Sequence, residues 1–239
     1  MSSSSLELPK LLLNTVPKSG SNLLLQIVEG IPEMSREVKS NVYHIKPGKF
    51  IIGHFQYNKH FSEVLYQKSI KQLFIYRDLR DVSISLVHFI NERFHGHVLY
   101  PVFKTELKTF DEQLSAVING VKPLNWPGVY EKYRGIYDWI KKDALICPIK
   151  YEDLVSSEKS RNQVIYQIID YLFPQLDNKR RHNLFLKMTR NINPEISWTF
   201  REGKTGSWRT TFTQYHKQSF KRHAGNFLIE LGYEKDLNW

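Results

Sequence analysis

A lysine, two serines, a glycine and an asparagine stand together in Pro17-Lys18-Ser19-Gly20-Ser21-Asn22, directly after the run KLLLNT at residues 10–15. A helix opening there presents free backbone N–H groups and the positive end of its dipole, which suits an anion. Lys18 adds a full charge, and Ser19, Ser21 and Asn22 add short donors. The logic is that of a phosphate loop. Gly-x-x-x-x-Gly-Lys-[Ser/Thr] is nevertheless absent, because the lysine precedes the glycine. No acid suited to holding magnesium accompanies it. A magnesium-dependent nucleotide hydrolase is therefore disfavoured, and no metal site is expected.

Three other places carry chemistry. Arg77 follows the run QLFIY at residues 72–76, and Ser85 lies eight residues on, about two helical turns into the next helix. An arginine fork holds a phosphate through two parallel N–H bonds, with a serine hydroxyl as a further donor. Asp78 or Asp81 can instead pair with the arginines and cap the helix, the better reading for Arg80 and Asp81. Arg201, Glu202, Gly203, Lys204, Gly206, Trp208 and Arg209 make a loop of two glycines among three cations and a tryptophan. Glycine lets backbone N–H groups approach an anion closely. The ordinary alternative is a basic surface loop. His54 ends the run FIIGH at residues 50–54, where an imidazole can take a proton near neutral pH.

These residues need elements to hold them. Short apolar runs predict strands at 10–15, 50–54, 72–76 and 144–150, with Pro148 placing the last at an edge or an end. Longer patterns predict helices at 21–29, stopped by Gly30, and at 78–93, 110–119, 129–141, 160–173, 178–190 and 214–231. Val82, Leu86 and Phe89 share one face of the second of these. Strands separated by helices imply parallel pairing with both sheet faces covered. Ligands then bind at the carboxyl ends of the strands, where the motifs fall. The expected fold class is α/β, a central mostly parallel sheet flanked by helices, in a single domain over residues 1–239 with a flexible stretch at 1–8.

The 239 residues are enough to bury a core without staples. The single cysteine, Cys147, excludes an internal disulfide and a multi-cysteine zinc site. No run approaches the ~18 apolar residues of a membrane span, and no secretory leader pattern opens the chain. A cytoplasmic location is the expectation. The net charge is +10, and residues 178–222 hold eleven Lys or Arg against two acids, Glu195 and Glu202. That segment suits a polyanion or a highly phosphorylated ligand, or is a solvated basic face.

In chain order these segments resemble the sulfotransferases that use PAPS, 3′-phosphoadenosine 5′-phosphosulfate, over residues 11–213. Residues 17–22 are similar to that family's Pro-Lys-Ser-Gly-Thr-Thr loop, and Arg77 through Ser85 to its Arg-x-Pro-x-Asp-x-x-x-Ser element. Tyr151-Glu152-Asp153 matches its Tyr-Glu-Asp. Arg201, Gly203, Gly206, Trp208, Phe212 and Thr213 match its Arg-Lys-Gly-x-x-Gly-x-Trp-Lys-x-x-Phe-Thr. Departures are Leu23 for the tryptophan that stacks on adenine, Asn22 for a threonine, Glu202 for a lysine, and Ile52-Gly53 where many members have Lys-Thr. The dimerisation segment of the animal enzymes is not recognisable, and the oligomeric state is not read.

The resemblance implies a P-loop-like sulfotransferase fold. It implies sulfuryl transfer from PAPS to a hydroxyl or amine of a small, apolar or aromatic acceptor, leaving PAP, without a metal. Lys18 and the loop residues Ser19, Gly20, Ser21 and Asn22 would hold the 5′-phosphosulfate. His54 would be the base. Arg77, Ser85, Arg201, Glu202 and Gly203 would lie at the 3′-phosphate, and Tyr151 near the adenine. Ser85 would also hold Lys18 back until the acceptor arrives. Phe94, Tyr100, Phe103, Trp126 and Trp198 would wall the acceptor pocket, or be core. The rival readings are a non-catalytic polyanion binder, including a nucleic-acid binder, and a nucleotide-binding module without transfer activity. The polyanion binder does not explain the contexts of Lys18, Arg77 and Arg201, and nucleic acid is disfavoured. Intact Lys18, His54 and Ser85 argue against the inactive module, to which Leu23 and Glu202 lend a little weight.

Overall fold

The computed structural model describes residues 7–38, 41–197 and 203–239. In chain order its elements are β1 (Lys10–Thr15), α1 (Ser21–Glu29), β2 (Ser35–Arg36), β3 (Lys49–Gly53), α2 (Lys59–Gln67), β4 (Ile70–Tyr76), α3 (Leu79–Glu92), α4 (Tyr100–Thr105), α5 (Phe110–Asn119) and α6 (Val129–Lys142). There follow β5 (Cys147–Lys150), α7 (Tyr151–Val155), α8 (Glu158–Leu172), α9 (Asn178–Arg190), α10 (Trp208–Thr211) and α11 (Gln214–Glu230). The chain divides into two compact units, one of residues 1–76 with 136–200 and one of residues 77–135 with 201–239.

The first unit holds the sheet. Its order is β2-β3-β1-β4-β5, and every neighbouring pair is parallel. The α/β class expected from the sequence is therefore present. Central β1 reads as an unbroken apolar run because both faces are covered: Leu11, Leu12 and Leu13 are fully buried. On one face, Leu11, Leu13, Phe50, Leu73 and Ile75 pack with Leu24 and Ile27 of α1, Ile165 and Ile168 of α8, and Met188 of α9. Burying each such aliphatic side chain contributes roughly 1.5–3 kcal/mol. α2 packs along β4, and its Phe61 meets Phe55 and Trp139. Pro148 lies in β5, an edge strand as expected. Gly30 ends α1 with an ordinary φ of −71°. Its lack of a side chain serves packing, since a Cβ there would lie 2.5 Å from Met188 Cα. Of the stretch 1–8, residues 1–6 lie outside the described residues, and Leu8 packs against the core.

The second unit is helical. α3 packs on α5 and α10, and α5 on α11. Asp78 caps α3 by accepting from Arg80 N at 2.9 Å. Thr109 with Glu112, and Thr213 with His216, form capping boxes at α5 and α11. Among the described residues, no helix is long and apolar enough to cross a membrane.

Candidate active site

In the first unit, residues 16–20 turn the chain from β1 into α1. Ser19 N donates to Val16 O at 3.1 Å. Pro17 supplies the fixed φ that suits the second position of a type II turn. Lys18, at the third position, has φ +66°, a conformation normally left to glycine or asparagine. The Ser19 hydroxyl donates to Val16 O at 2.6 Å and Ile75 O at 3.1 Å and is fully buried. Its side chain is thus the fastener of the loop to β4. Gly20 is also left-handed, at φ +94°, and a Cβ there would lie 2.5 Å from the Tyr151 ring. Glycine is required on both counts, and Tyr151 covers the loop from the start of α7. No side chain caps α1 among the described residues, and the start of a helix is where backbone amides and the dipole favour an anion. Asn22 Nδ2 donates to Ser197 Oγ at 3.1 Å.

His54 is the first residue beyond β3 rather than its last. Its position is set by Asn14, a buried polar residue in an otherwise apolar strand. The Asn14 carboxamide accepts from Phe55 N at 2.8 Å and donates to Phe55 O at 3.2 Å. Trp139 Nε1 donates to the same carbonyl at 2.9 Å. His54 Nδ1 lies 2.7 Å from Thr15 O. A carbonyl only accepts, so Nδ1 carries the hydrogen and Nε2 of the neutral ring carries the lone pair. Ser21 Oγ donates to Thr15 Oγ1 at 2.8 Å, and Thr15 Oγ1 lies 2.8 Å from His54 Nδ1. A hydrogen-bonded line thus joins the start of α1 to the imidazole. His54 keeps an exposed face. Burial of the rest lowers its pKa from the usual value, opposed in part by the Thr15 carbonyl.

In the second unit, Arg77 stands just before Asp78, the cap of α3, and Asp81 and Ser85 follow at intervals of four in sequence, the last two on one stripe of α3. Asp81 is buried, accepts from Gly206 N at 2.6 Å and Trp208 N at 3.1 Å, and lies 3.8 Å from Arg77 Nη2. Burial pushes its carboxyl up from the usual pKa, against Arg77 and the two amides. Arg77 Nη2 donates to Lys204 O at 2.8 Å. The glycine-rich loop is therefore fastened to α3 from below. Gly203 has φ +66° and Gly206 φ +73°. Ser85 is half-buried on α3. Arg80 is a structural cation, as the sequence suggested. It pairs with Asp78 at 2.7 Å and Glu234 at 2.5 Å, with its guanidinium 3.6 Å from the Trp208 ring and 4.5 Å from that of Trp239. Asp81 does more than the internal pairing expected of it. Arg201 and Glu202 lie outside the described residues, as does Trp198.

Of the aromatic residues read as pocket wall or core, two are core. Phe103 and Trp126 are buried, and Trp126 Nε1 donates to Val117 O. Phe94 is exposed. In the basic segment, Arg180 pairs with Asp177 and Arg181 with Asp170, which is the behaviour of a solvated face. No cluster of metal-ligating side chains occurs among the described residues.

The model of the sulfotransferase domain matches residues 32–232. Rat sulfotransferase 1A1 is 22% identical over 187 residues, covering 71% of this chain and 60% of that protein. A flavonol sulfotransferase-like protein of Flaveria bidentis is 24% identical over 237 residues, covering 90% of this chain and 73% of that protein. The chain thus spans less than two thirds of the rat protein. Among solved structures, mouse sulfotransferase SULT7A1 complexed with PAP superposes with a TM-score of 0.66 at 18% identity, covering 94% of this chain and 87% of that one. Retinol dehydratase in complex with androsterone and PAP gives 0.57 at 14% identity, covering 91% and 80%. The fold of those proteins is the fold of this one.

Proposed function

Since the chain belongs to the sulfotransferase family, we propose that it moves a sulfuryl group from PAPS to a hydroxyl or amine of a small, apolar or aromatic acceptor. Residues 1–239 act as one sulfotransferase domain, in the cytoplasm. The observation that carries this reading is the line Ser21–Thr15–His54. It joins an uncapped helix start, where an anion belongs, to an imidazole whose open nitrogen is a base. The family match begins at residue 32, so the loop at 17–22 rests on its own geometry. The loop fits one end of the co-substrate, offering amides, a lysine and no Cβ at Gly20, and Arg77 before α3 with Ser85 on α3 are the residues proposed for a second phosphate.

The acceptor oxygen or nitrogen forms a bond to sulfur, and the bond from sulfur to the bridging oxygen of the 5′-phosphate breaks. His54 Nε2 takes the acceptor's proton. Lys18 and the first amides of α1 stabilise the charge that builds on the bridging oxygen. Ser19, tied to β4, keeps the loop in shape for this. Arg77, Ser85, Gly203 and Arg201 hold the 3′-phosphate, with Glu202 beside them, and supply binding remote from the reacting centre. Tyr151 supports Gly20 and borders the adenine.

The test is calorimetric titration with PAP, using ADP as control. PAP is expected to bind at least about tenfold more tightly, because a charge-assisted phosphate contact contributes roughly 1.5–3 kcal/mol. Equal binding of the two would remove Arg77 and Ser85 from the 3′-phosphate. Asp81→Asn is expected to weaken PAP about tenfold to a hundredfold. The new amide group turns a donor toward Gly206 or Trp208 N–H and loses the charge facing Arg77. Unchanged affinity would mean that the loop does not need Asp81 for its binding shape.

A further inference from the structure

We propose that the first unit carries a second small-molecule site, at the amino ends of β1 and β4, which takes an organic anion with an apolar body and one carboxylate, sulfonate or sulfate head. A cavity of about 550 Å³ opens there, within the range of small-ligand sites. It is separate from the phosphate loop. That loop leaves the carboxyl end of β1, and the five residue steps from Lys10 to Thr15 span roughly 17 Å of strand.

The walls fit such a ligand in two parts. Leu8, Pro47, Leu172, Phe173 and Leu176 supply an apolar lining, with Leu172 and Phe173 buried at its base. The head would meet Lys71, with Lys10 and Arg180 also on the wall. The Lys71 ammonium donates to Tyr171 O at 2.7 Å and Leu172 O at 3.0 Å. Those two carbonyls, at the end of α8, fix the ammonium in place. An ammonium has three N–H donors, so a ligand oxygen can take the third without displacing either bond.

Two acids share the wall. Asp177 is engaged, since it caps α9 through Arg180 N at 2.9 Å and pairs with Arg180 Nε at 3.4 Å. Glu7 is different, being an exposed side chain whose charge acts on Lys71. Burial still lowers the Lys71 pKa from its usual value despite Glu7. Besides the two carbonyls and Glu7, the ammonium has the Tyr171 ring, 5.4 Å away, and no carboxylate pairs with it at salt-bridge distance among the described residues. A ligand anion would supply what Glu7 supplies only in part, and Glu7 competes with it.

That competition gives variants with opposite signs. The probe is naphthalene-2-sulfonate, with naphthalene-2-sulfonamide as its neutral counterpart, titrated calorimetrically into the full chain. The sulfonate is expected to bind saturably and the sulfonamide at least about tenfold more weakly. Lys71→Met is expected to weaken the sulfonate about tenfold or more, and Glu7→Gln to tighten it several-fold. Lys18→Met is expected to leave it unchanged. The Glu7 change is at an exposed position, so it reads the site even if Lys71→Met fails to fold. Equal binding of sulfonamide, no tightening in Glu7→Gln, or a loss that follows Lys18 instead of Lys71 would each overturn the proposal. So would absence of saturable binding below about 1 mM. None of these outcomes depends on PAP, so the site stands or falls apart from the transfer reaction.

Discussion

Replacing His54 by alanine is expected to lower turnover on the order of 10²–10⁴-fold, the usual contribution of a general base, while PAP affinity stays unchanged. The expectation comes from how the ring is held. Thr15 O fixes the hydrogen on Nδ1 at 2.7 Å, and Asn14 with Trp139 fixes the backbone that follows. The neutral ring is thus presented in one tautomer, with Nε2 ready to accept. The base works only when deprotonated, so turnover should rise with pH through the His54 pKa and level off above it. Burial puts that pKa below the ordinary imidazole value of about 6.5. The acid limb of kcat should therefore lie below that value, with a flat profile from about pH 7 to 8. In His54→Ala the limb should vanish, and added imidazole should restore part of the rate. An unchanged limb in the variant, or near-normal turnover, would move the base to another residue.

The elements that carry this machinery were legible in unequal degree. β1, α1, α5 and α9 occupy the residues their patterns predict, because an apolar run or an amphipathic period with a clear stop is a local property. α2 was missed, although Asn58 caps it and Phe61 and Leu65 stand four apart on its buried face. Only two of its nine residues are buried, and the rest read as loop. β2 has no side-chain signature, since Ser35 and Arg36 are exposed and pair with β3 through the backbone. The strand predicted at 144–150 starts at Cys147 because Asp143 accepts from Leu145 N and turns the chain first.

The site shows the same division. Lys18, Gly20 and His54 announce themselves by type and place. Asn14 and Asp81 do not, because their partners stand far off in sequence. Asn14 meets Phe55 only through the β1–β3 register, and Asp81 meets Gly206 across 125 residues. One signal was available for the first: a polar residue amid KLLLNT must find partners once buried. For Asp81 the nearby arginines supplied a sufficient local explanation, and the fold gave the carboxylate a second duty. For Phe103 and Trp126 residue type alone left pocket wall and core both open, and the fold sent both to the core.

Lys18→Gly should separate function from stability. Turnover is expected to fall about 10²–10³-fold, as for other losses of a donor aimed at developing charge. The folded protein, by contrast, should be no less stable. Lys18 holds φ +66° at the turn position where glycine is favoured, and a left-handed conformation costs a residue with a side chain about 1 kcal/mol. Glycine removes that strain, and the greater freedom it gives the unfolded chain offsets part of the gain. The turn itself has other anchors: Ser19 bonded to Val16 O and Ile75 O, and Gly20 under the Tyr151 ring. Lys18 is thus a strained residue on a rigid base, which makes sense if its ammonium must point at one place. Lys18→Arg should fail to restore turnover, since a planar fork cannot replace a compact point charge at the bridging oxygen. Thermal melting and single-turnover transfer from PAPS on the same preparations decide the matter. A stable variant with normal transfer would leave the loop amides as the sole stabilisers of the leaving oxygen. A variant that loses stability along with transfer would mean that the Lys18 side chain holds the turn together, and the strain argument would fail.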